Sequence, residues 1–431
     1  MQRRTFLSLL ALPAVAQFLQ ACGSDSPKSA GAPGRSTLRG NALRANAGPD
    51  DAVQASVAIN EFAQDLYERL VAADPSANLV FSPASISVAL TMTAVGARGI
   101  TVDEMNEVLH IADDGSIDHS MNGISTVFES VNRTRDNTAD GGEGTSEVQL
   151  TIANSLWGQS GLSFEQAFME ILSSEYDAGM ELVDYAADPE AARVAINEWV
   201  ATQTKDRIPE LLAQGAITPD TRLTLVNAIY LKANWAEVFP KDATTAQPFA
   251  APDGEVTVQM MRRTGEFGYA AGNGWQAVDI PYVFGELAFT VAMGDTAKTV
   301  LPAGEELFAA MAPRQVQLGL PRFDIETATD LVEVLTEMGM VTAFTAAADF
   351  SGITQSASLA IGAVIHQANI TVDEEGTEAA AATAVIMVET SAPADDPVVL
   401  TVDRPFTFWL REVTTGTVVF MGRVNDPSAT R

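Results

Sequence analysis

Residues 223–235, Leu-Thr-Leu-Val-Asn-Ala-Ile-Tyr-Leu-Lys-Ala-Asn-Trp, constrain the fold more than any other stretch of the chain. Leu223, Leu225, Ile229 and Leu231 recur at period two, the spacing of one face of a strand. The positions between them, Val226, Ala228 and Tyr230, are apolar as well, so neither face favours water. Such a strand belongs inside a sheet that is covered on both sides. Asn227 interrupts it with an amide that must find partners once buried.

The remaining pattern mixes helices and strands without regular alternation. Ile59, Phe62, Ala63, Leu66 and Leu70 mark one face of a first helix. Ser82-Pro83 is a helix start, a capping hydroxyl followed by proline at the first helical position. Ile86, Leu90 and Ala94 continue it, and Gly96 and Gly99 mark its exit. Residues 136–147 read as a polar surface loop. Val148, Leu150, Ile152 and Leu156 alternate as a strand. Asp188-Pro189 opens a helix carrying Ile196, Trp199 and Val200, and Leu331, Val334, Leu335 and Met338 form a late helix ending at Gly339. Three strands close the chain, around Val398–Leu400, Phe406–Leu410 and Val418–Met421. This order argues for one α+β domain.

The chain of 431 residues carries 56 acidic against 25 basic side chains, a net charge of −31. Such a surface repels phosphate, which argues against nucleic acid as a partner and disfavours acidic substrates. It serves solubility, or the steering of a basic partner. Histidine occurs at His110, His119 and His366 alone, and the single cysteine is Cys22. The folded part therefore has no disulfide and no cysteine nucleophile, and a zinc or histidine-dependent site would draw on that small stock. No Gly-x-Ser-x-Gly elbow and no Gly-rich phosphate loop is present. An enzyme is not expected, and neither a cofactor nor a metal.

Arg3-Arg4-Thr5-Phe6-Leu7 followed by an apolar run to Leu19 reads as a signal peptide over residues 1–21, too short to span a membrane. Leu19-Gln20-Ala21-Cys22 resembles a lipoprotein cleavage site, with lipid attached at Cys22, and the paired arginines resemble a twin-arginine export signal. Residues 22–50, rich in Ser, Gly, Ala, Pro and Asn, read as a flexible tether that buries nothing. The folded domain is expected from Asp51 to Arg431. The expected location is outside the cytoplasm, lipid-anchored in the cell envelope or extracellular.

Residues 373–397 break every pattern: Asp-Glu-Glu-Gly-Thr-Glu-Ala-Ala-Ala-Ala-Thr-Ala-Val-Ile-Met-Val-Glu-Thr-Ser-Ala-Pro-Ala-Asp-Asp-Pro. An alanine-rich stretch of this length is marginally helical on its own, and a loop this long between strands is functional or disordered. As a strand it would point Thr377, Ala379, Ala381, Thr383, Val385 and Met387 to one side. The first of these are small and uncharged. The segment is therefore compatible with two states, exposed loop and buried strand.

Glu374-Glu375-Gly376-Thr377-Glu378-Ala379-Ala380-Ala381-Ala382-Thr383 resembles the hinge of the serpin reactive loop, in its inhibitory form. Asn78–Ile86, Leu225–Trp235, Leu320–Phe323, Ala348–Ile353, Arg404–Phe408 and Phe420–Val424 resemble further serpin motifs in family order, over nearly all of residues 55–427. Arg404, Ala233 and Gln367 depart from the common family residues. The resemblance implies a single α+β domain with a large central mixed sheet, further sheets, surrounding helices and an exposed reactive-centre loop at about 374–400.

It also implies a suicide inhibitor, expected to be a monomer, whose partner is a serine protease held covalently. Family spacing from Gly376 places the scissile bond at Thr390–Ser391, with Val388–Glu389 and Glu389–Thr390 as neighbouring alternatives. Elastase-like or subtilisin-like proteases suit the small Thr390. Ser82, Ser85, Asn227 and His366 match a polar cluster that governs opening of the central sheet; their plain alternative is a satisfied buried network. Glu374 matches the acidic residue at the top of the insertion path. The rival reading is a non-inhibitory binding or chaperone module of the same family, whose usual mark is a bulky, charged or proline-containing hinge.

Overall fold

The computed structural model describes residues 35–429 apart from 113–114, 138–143, 297–298 and 378–395. In chain order the strands are β1 Ser36–Leu38, β2 Leu79–Phe81, β3 Arg133–Asp136, β4 Thr145–Gln159, β5 Met180–Val183, β6 Leu223–Asn234, β7 Thr245–Ala251, β8 Gly254–Gly272, β9 Trp275–Pro281, β10 Leu287–Gly294, β11 Ala312–Pro321, β12 Phe323–Asp330, β13 Val364–Val372, β14 Gly376–Thr377, β15 Val398–Thr401, β16 Phe406–Glu412 and β17 Val418–Val424. The helices are α1 Val53–Ala73, α2 Pro83–Ala94, α3 Ile100–Val108, α4 Ile117–Ser130, α5 Gln166–Glu175, α6 Pro189–Gln203, α7 Gly304–Ala309 and α8 Val332–Met338.

Two large sheets organise these elements. The first has eight strands in the order β1-β5-β4-β6-β14-β13-β12, with β3 also on β4. The second has nine, β15-β11-β8-β9-β10-β16-β17-β2, with β7 on β8. β6 lies mid-sheet and is buried almost throughout, as its doubly apolar pattern requires. Leu225, Ile229 and Leu231 face the main core shared with the second sheet. Val226 and Ala228 face a second cluster with Trp157 and with Ile196 and Val200 of α6. Helix α2 is buried along its whole length, which suits its lack of charge. Its Ser82 cap accepts from the Ser85 N–H at 3.2 Å, and Asp188 caps α6 through the Ala191 N–H at 3.0 Å.

The expected tether to residue 50 is corrected over residues 35–50. β1 pairs antiparallel with β5, and Ala47 is buried. Arg35 and Thr37 both bind Glu181, and Arg44 binds Glu129 and Asn122. A polar, aperiodic stretch is ordered here by surfaces made elsewhere in the chain. The expected polar loop at 136–147 likewise yields Thr145–Glu147 to the start of β4.

Candidate functional site

Past β13 the chain turns through Asp373, Glu374 and Glu375 and re-enters the first sheet as β14. Thr377 stands opposite both Val372 of β13 and Ala233 of β6, and Gly376 opposite Asn234. The Asp373 carboxylate closes the turn by accepting from the Glu375 and Gly376 N–H groups at 2.8 and 3.2 Å. The turn is anchored from outside as well. Trp235 donates its backbone N–H to the Glu375 carbonyl at 2.9 Å and its indole N–H to the Asp373 carbonyl at 2.8 Å. Phe239 N–H donates to the Glu374 carbonyl at 2.9 Å. Gly376 is required by this close approach, because a Cβ there would stand 2.0 Å from the Ala233 carbonyl oxygen. Thr377 is 2% exposed, and its hydroxyl meets the Tyr282 hydroxyl at 2.5 Å. The Tyr282 ring in turn stacks on Trp235.

Two ion pairs clamp the turn. Glu374, 1% exposed, accepts from Arg322 Nε at 2.7 Å and from the Thr244 hydroxyl at 2.5 Å. Burial works to raise its pKa, but the hydrogen bonds from Arg322 and Thr244 hold the carboxyl below the usual range. Glu375 meets Lys241 Nζ at 2.5 Å, and the hydrogen bond and charge of Glu375 raise the Lys241 pKa.

Below this turn, β6 and β13 run parallel and pair over Leu225–Ala228 and Val364–Gln367. Above that patch the ladder between them stops, and β14 occupies the mouth of the gap at Ala233–Asn234. The sheet is thus parted at the β14 end and closed further down.

The closed part is held by a polar cluster. Ser82 N–H donates to His366 Nε2 at 3.0 Å, so Nδ1 carries the imidazole proton and donates to Asn227 Oδ1 at 2.9 Å. Asn227 Nδ2 reaches Ser85 Oγ at 2.5 Å and Asn154 Oδ1 at 2.6 Å. One network therefore joins the start of α2 to β4, β6 and β13.

Burial pushes the His366 pKa down to about 3, and a proton on Nε2 would also confront the Ser82 N–H. As pH falls through about 6.5 the unfolded chain takes up a proton that the native state refuses, so stability is lost between about 6.5 and 3. At pH 5 this amounts to about 2 kcal/mol. His366→Gln should shrink the drop in unfolding free energy between pH 7 and pH 5 by about that amount in urea titrations. An unchanged drop would show that His366 titrates as an exposed imidazole.

The sequence of the family described as Serpin (serine protease inhibitor) matches residues 57–427. An uncharacterized serpin-like protein of Thermococcus kodakarensis is 38% identical over 379 residues, covering 86% of this chain and 85% of its own. The chain belongs to the serpin family. The leukocyte elastase inhibitor of Bos taurus is 35% identical over 391 residues, covering 87% of this serpin and 100% of its own length. The solved structure titled "Cleaved Serpin 42Da" has a TM-score of 0.76 at 28% identity, covering 88% of this serpin and 100% of that chain. The fold is the α+β serpin fold, and the family is one of serine protease inhibitors rather than catalysts.

Of the serpin residues singled out in the sequence, Ser82, Ser85, Asn227 and His366 come together, and Glu374, Glu375, Gly376 and Thr377 form the buried turn and β14. Glu378, Ala379, Ala380, Ala381, Ala382 and Thr383 lie outside the described residues, as do Val388, Glu389, Thr390, Ser391 and Cys22. Among the described residues no group of three or more His, Cys, Asp or Glu could hold a metal ion. Sequence reasoning missed Asn154, which stands opposite Asn227 in the β4–β6 register. An amide in a strand of otherwise apolar alternation was its signal. It also gave no role to Tyr282, Thr244 or Lys241, which carry no local pattern, and it placed Arg322 in the Leu320–Phe323 motif without a partner. Gln367, a departure from the family, binds Glu326 at 2.8 Å, and Arg404 binds Asp403 at 2.8 Å.

Proposed function

We propose that this serpin inhibits elastase-like or subtilisin-like serine proteases by suicide trapping. The protease serine attacks the Thr390 carbonyl, the peptide C–N bond breaks, the Ser391 amine leaves with a proton, and Thr390 is left as an ester on the enzyme. The freed hinge then zips down the gap that β14 has entered. The observation that supports this best is the placement of Gly376 and Thr377 between the parted strands β6 and β13. Continuing that register would set Met387 opposite Leu223 at the far end of β6. It would also send Thr377, Ala379, Ala381, Thr383, Val385 and Met387 to the face on which Thr377 meets Tyr282. The small side chains of Thr377, Ala379, Ala381 and Thr383 would pass over the packed core without displacing it.

Specificity follows from the loop. No Lys or Arg occurs between Gly376 and Arg404, so a pocket built for a cation finds no ligand. Incubation with elastase and with subtilisin should yield a covalent band of higher mass on a denaturing gel, with cleavage between Val388 and Ser391. Cleavage without that band would reject trapping and favour the non-inhibitory reading. Thr390→Arg should create trypsin inhibition where the parent has none. Trypsin that neither cuts nor is trapped would displace the scissile bond from Thr390–Ser391.

A further inference from the structure

Residues 35–52 run from the edge of the first sheet to the start of α1 without leaving the surface of the protein. β1 lies along β5, with Ser36, Thr37 and Leu38 opposite Leu182, Glu181 and Met180. Glu181 is buried to 9% exposure, and its carboxylate is held by strap residues, Arg35 Nε at 2.8 Å and Thr37 Oγ1 at 2.9 Å. The Arg35 guanidinium covers the face of the buried Trp157 at 4.9 Å from the ring centre. Next come contacts with α5: Gly40 N–H donates to Ser173 Oγ at 2.9 Å and Ala42 N–H to Glu170 at 2.6 Å. Then α4 is met, where Arg44 reaches Asn122 at 2.9 Å and Glu129 at 2.6 Å. The seat is shaped for the strap, since a Cβ on Gly40 would stand 2.4 Å from the Met169 carbonyl and one on Gly179 2.6 Å from that of Leu38.

The two ends of this strap are fastened to parts that a strand entering between β6 and β13 would shift relative to each other. Entry widens the sheet by one strand spacing, about 4.8 Å. The half made of β6, β4, β5 and β1 must then slide over the helices beneath it. α4 touches β4 of that half but packs more extensively on α1, and α1 packs on β17 of the second sheet and on α8, so this helical layer is tied to the other half. A cavity of about 260 Å³ lined by Val88, Met92, Phe128, Leu150 and Ile152 lies between α2, α4 and β4, so part of the sliding boundary is loosely filled. A covalent strap crossing that boundary has to give way when the sheet opens.

We infer that residues 35–47 are a brace that resists sheet opening and so sets the lifetime of the uncleaved form. The inference rests on the inserted-strand reading above, and its readout is sheet opening itself rather than protease inhibition. The probe is a labelled peptide of the sequence Thr377–Val388, whose uptake is followed by native gel electrophoresis. Arg35→Ala/Thr37→Ala/Arg44→Ala in the full chain should take up the peptide at least tenfold faster than the parent. In a Cys22→Ala background, Thr37→Cys/Glu181→Cys places two thiols at directly opposed strand positions, within disulfide reach. The oxidised form should take up peptide at least tenfold more slowly than the same molecules after reduction, a comparison that no folding defect can imitate. Uptake by the triple variant no faster than by the parent, together with equal rates in the oxidised and reduced forms, would overturn the brace while leaving trapping intact. Absence of uptake in every form would overturn the inserted-strand reading, and the brace with it.

Discussion

Thr377→Arg is expected to convert the serpin from a trap into a substrate. Thr377 is 2% exposed between β6 and β13, and its hydroxyl is engaged by Tyr282 at 2.5 Å. Among the described residues the nearby acids are already committed, Glu374 to Arg322, Glu375 to Lys241 and Asp373 to the backbone N–H groups of the turn, which leaves no carboxylate there for a guanidinium. An unpaired charge there costs several kcal/mol even after relaxation, so the variant hinge leaves the mouth of the sheet. Insertion must then start from a closed sheet with a charged leading residue. If that raises the barrier by about 3 kcal/mol, insertion slows roughly a hundredfold, and water hydrolyses the acyl-enzyme first. The variant should be cut at the same bond and at a similar rate, yet release active protease, while Thr377→Ser keeps trapping. The measurement is the number of inhibitor molecules consumed per protease silenced. Undiminished covalent trapping by Thr377→Arg would show that strand insertion is not how this protein acts.

Cutting the loop of the parent protein should raise its thermal stability by on the order of 10 °C or more. Roughly a dozen new backbone hydrogen bonds at about 0.5–1.5 kcal/mol net each give on the order of 10 kcal/mol. For a domain of this size, an unfolding entropy of about 2.1 cal/mol/K per residue converts that figure into about 12 °C. Burial of Val385 and Met387 in the inserted strand would add to it. The uncleaved form is on this account a state held by a barrier, so its melting should depend on scan rate and that of the cleaved form much less. Calorimetry before and after nicking with subtilisin tests both points. A melting temperature unchanged by cleavage would mean that no strand is added.

Local chemistry wrote much of this into the sequence. The doubly apolar run at 223–231 specified a central strand, because side chains on both faces lack affinity for water and only a covered sheet satisfies both. Ser82-Pro83 and Asp188-Pro189 specified two helix starts, since the cap bond closes within three residues. Thr377, Ala379, Ala381 and Thr383, small residues on one face, read as a segment compatible with a second state, and all but Thr377 lie outside the described residues. What the sequence could not show were relations between residues far apart in the chain. Asn154 acquires its meaning only when the β4–β6 register sets it against Asn227. Tyr282 meets Thr377, and Arg322 and Lys241 meet Glu374 and Glu375, through turns and pairings that no period of two or 3.6 encodes. The stretch 35–47 looked like a tether because its own residues bury little, and it is ordered by Glu181, Glu170 and Glu129, whose positions depend on the rest of the fold. Periodicity and caps report what one element needs from its surroundings; which polar group answers a buried polar group is decided only when distant strands come into register.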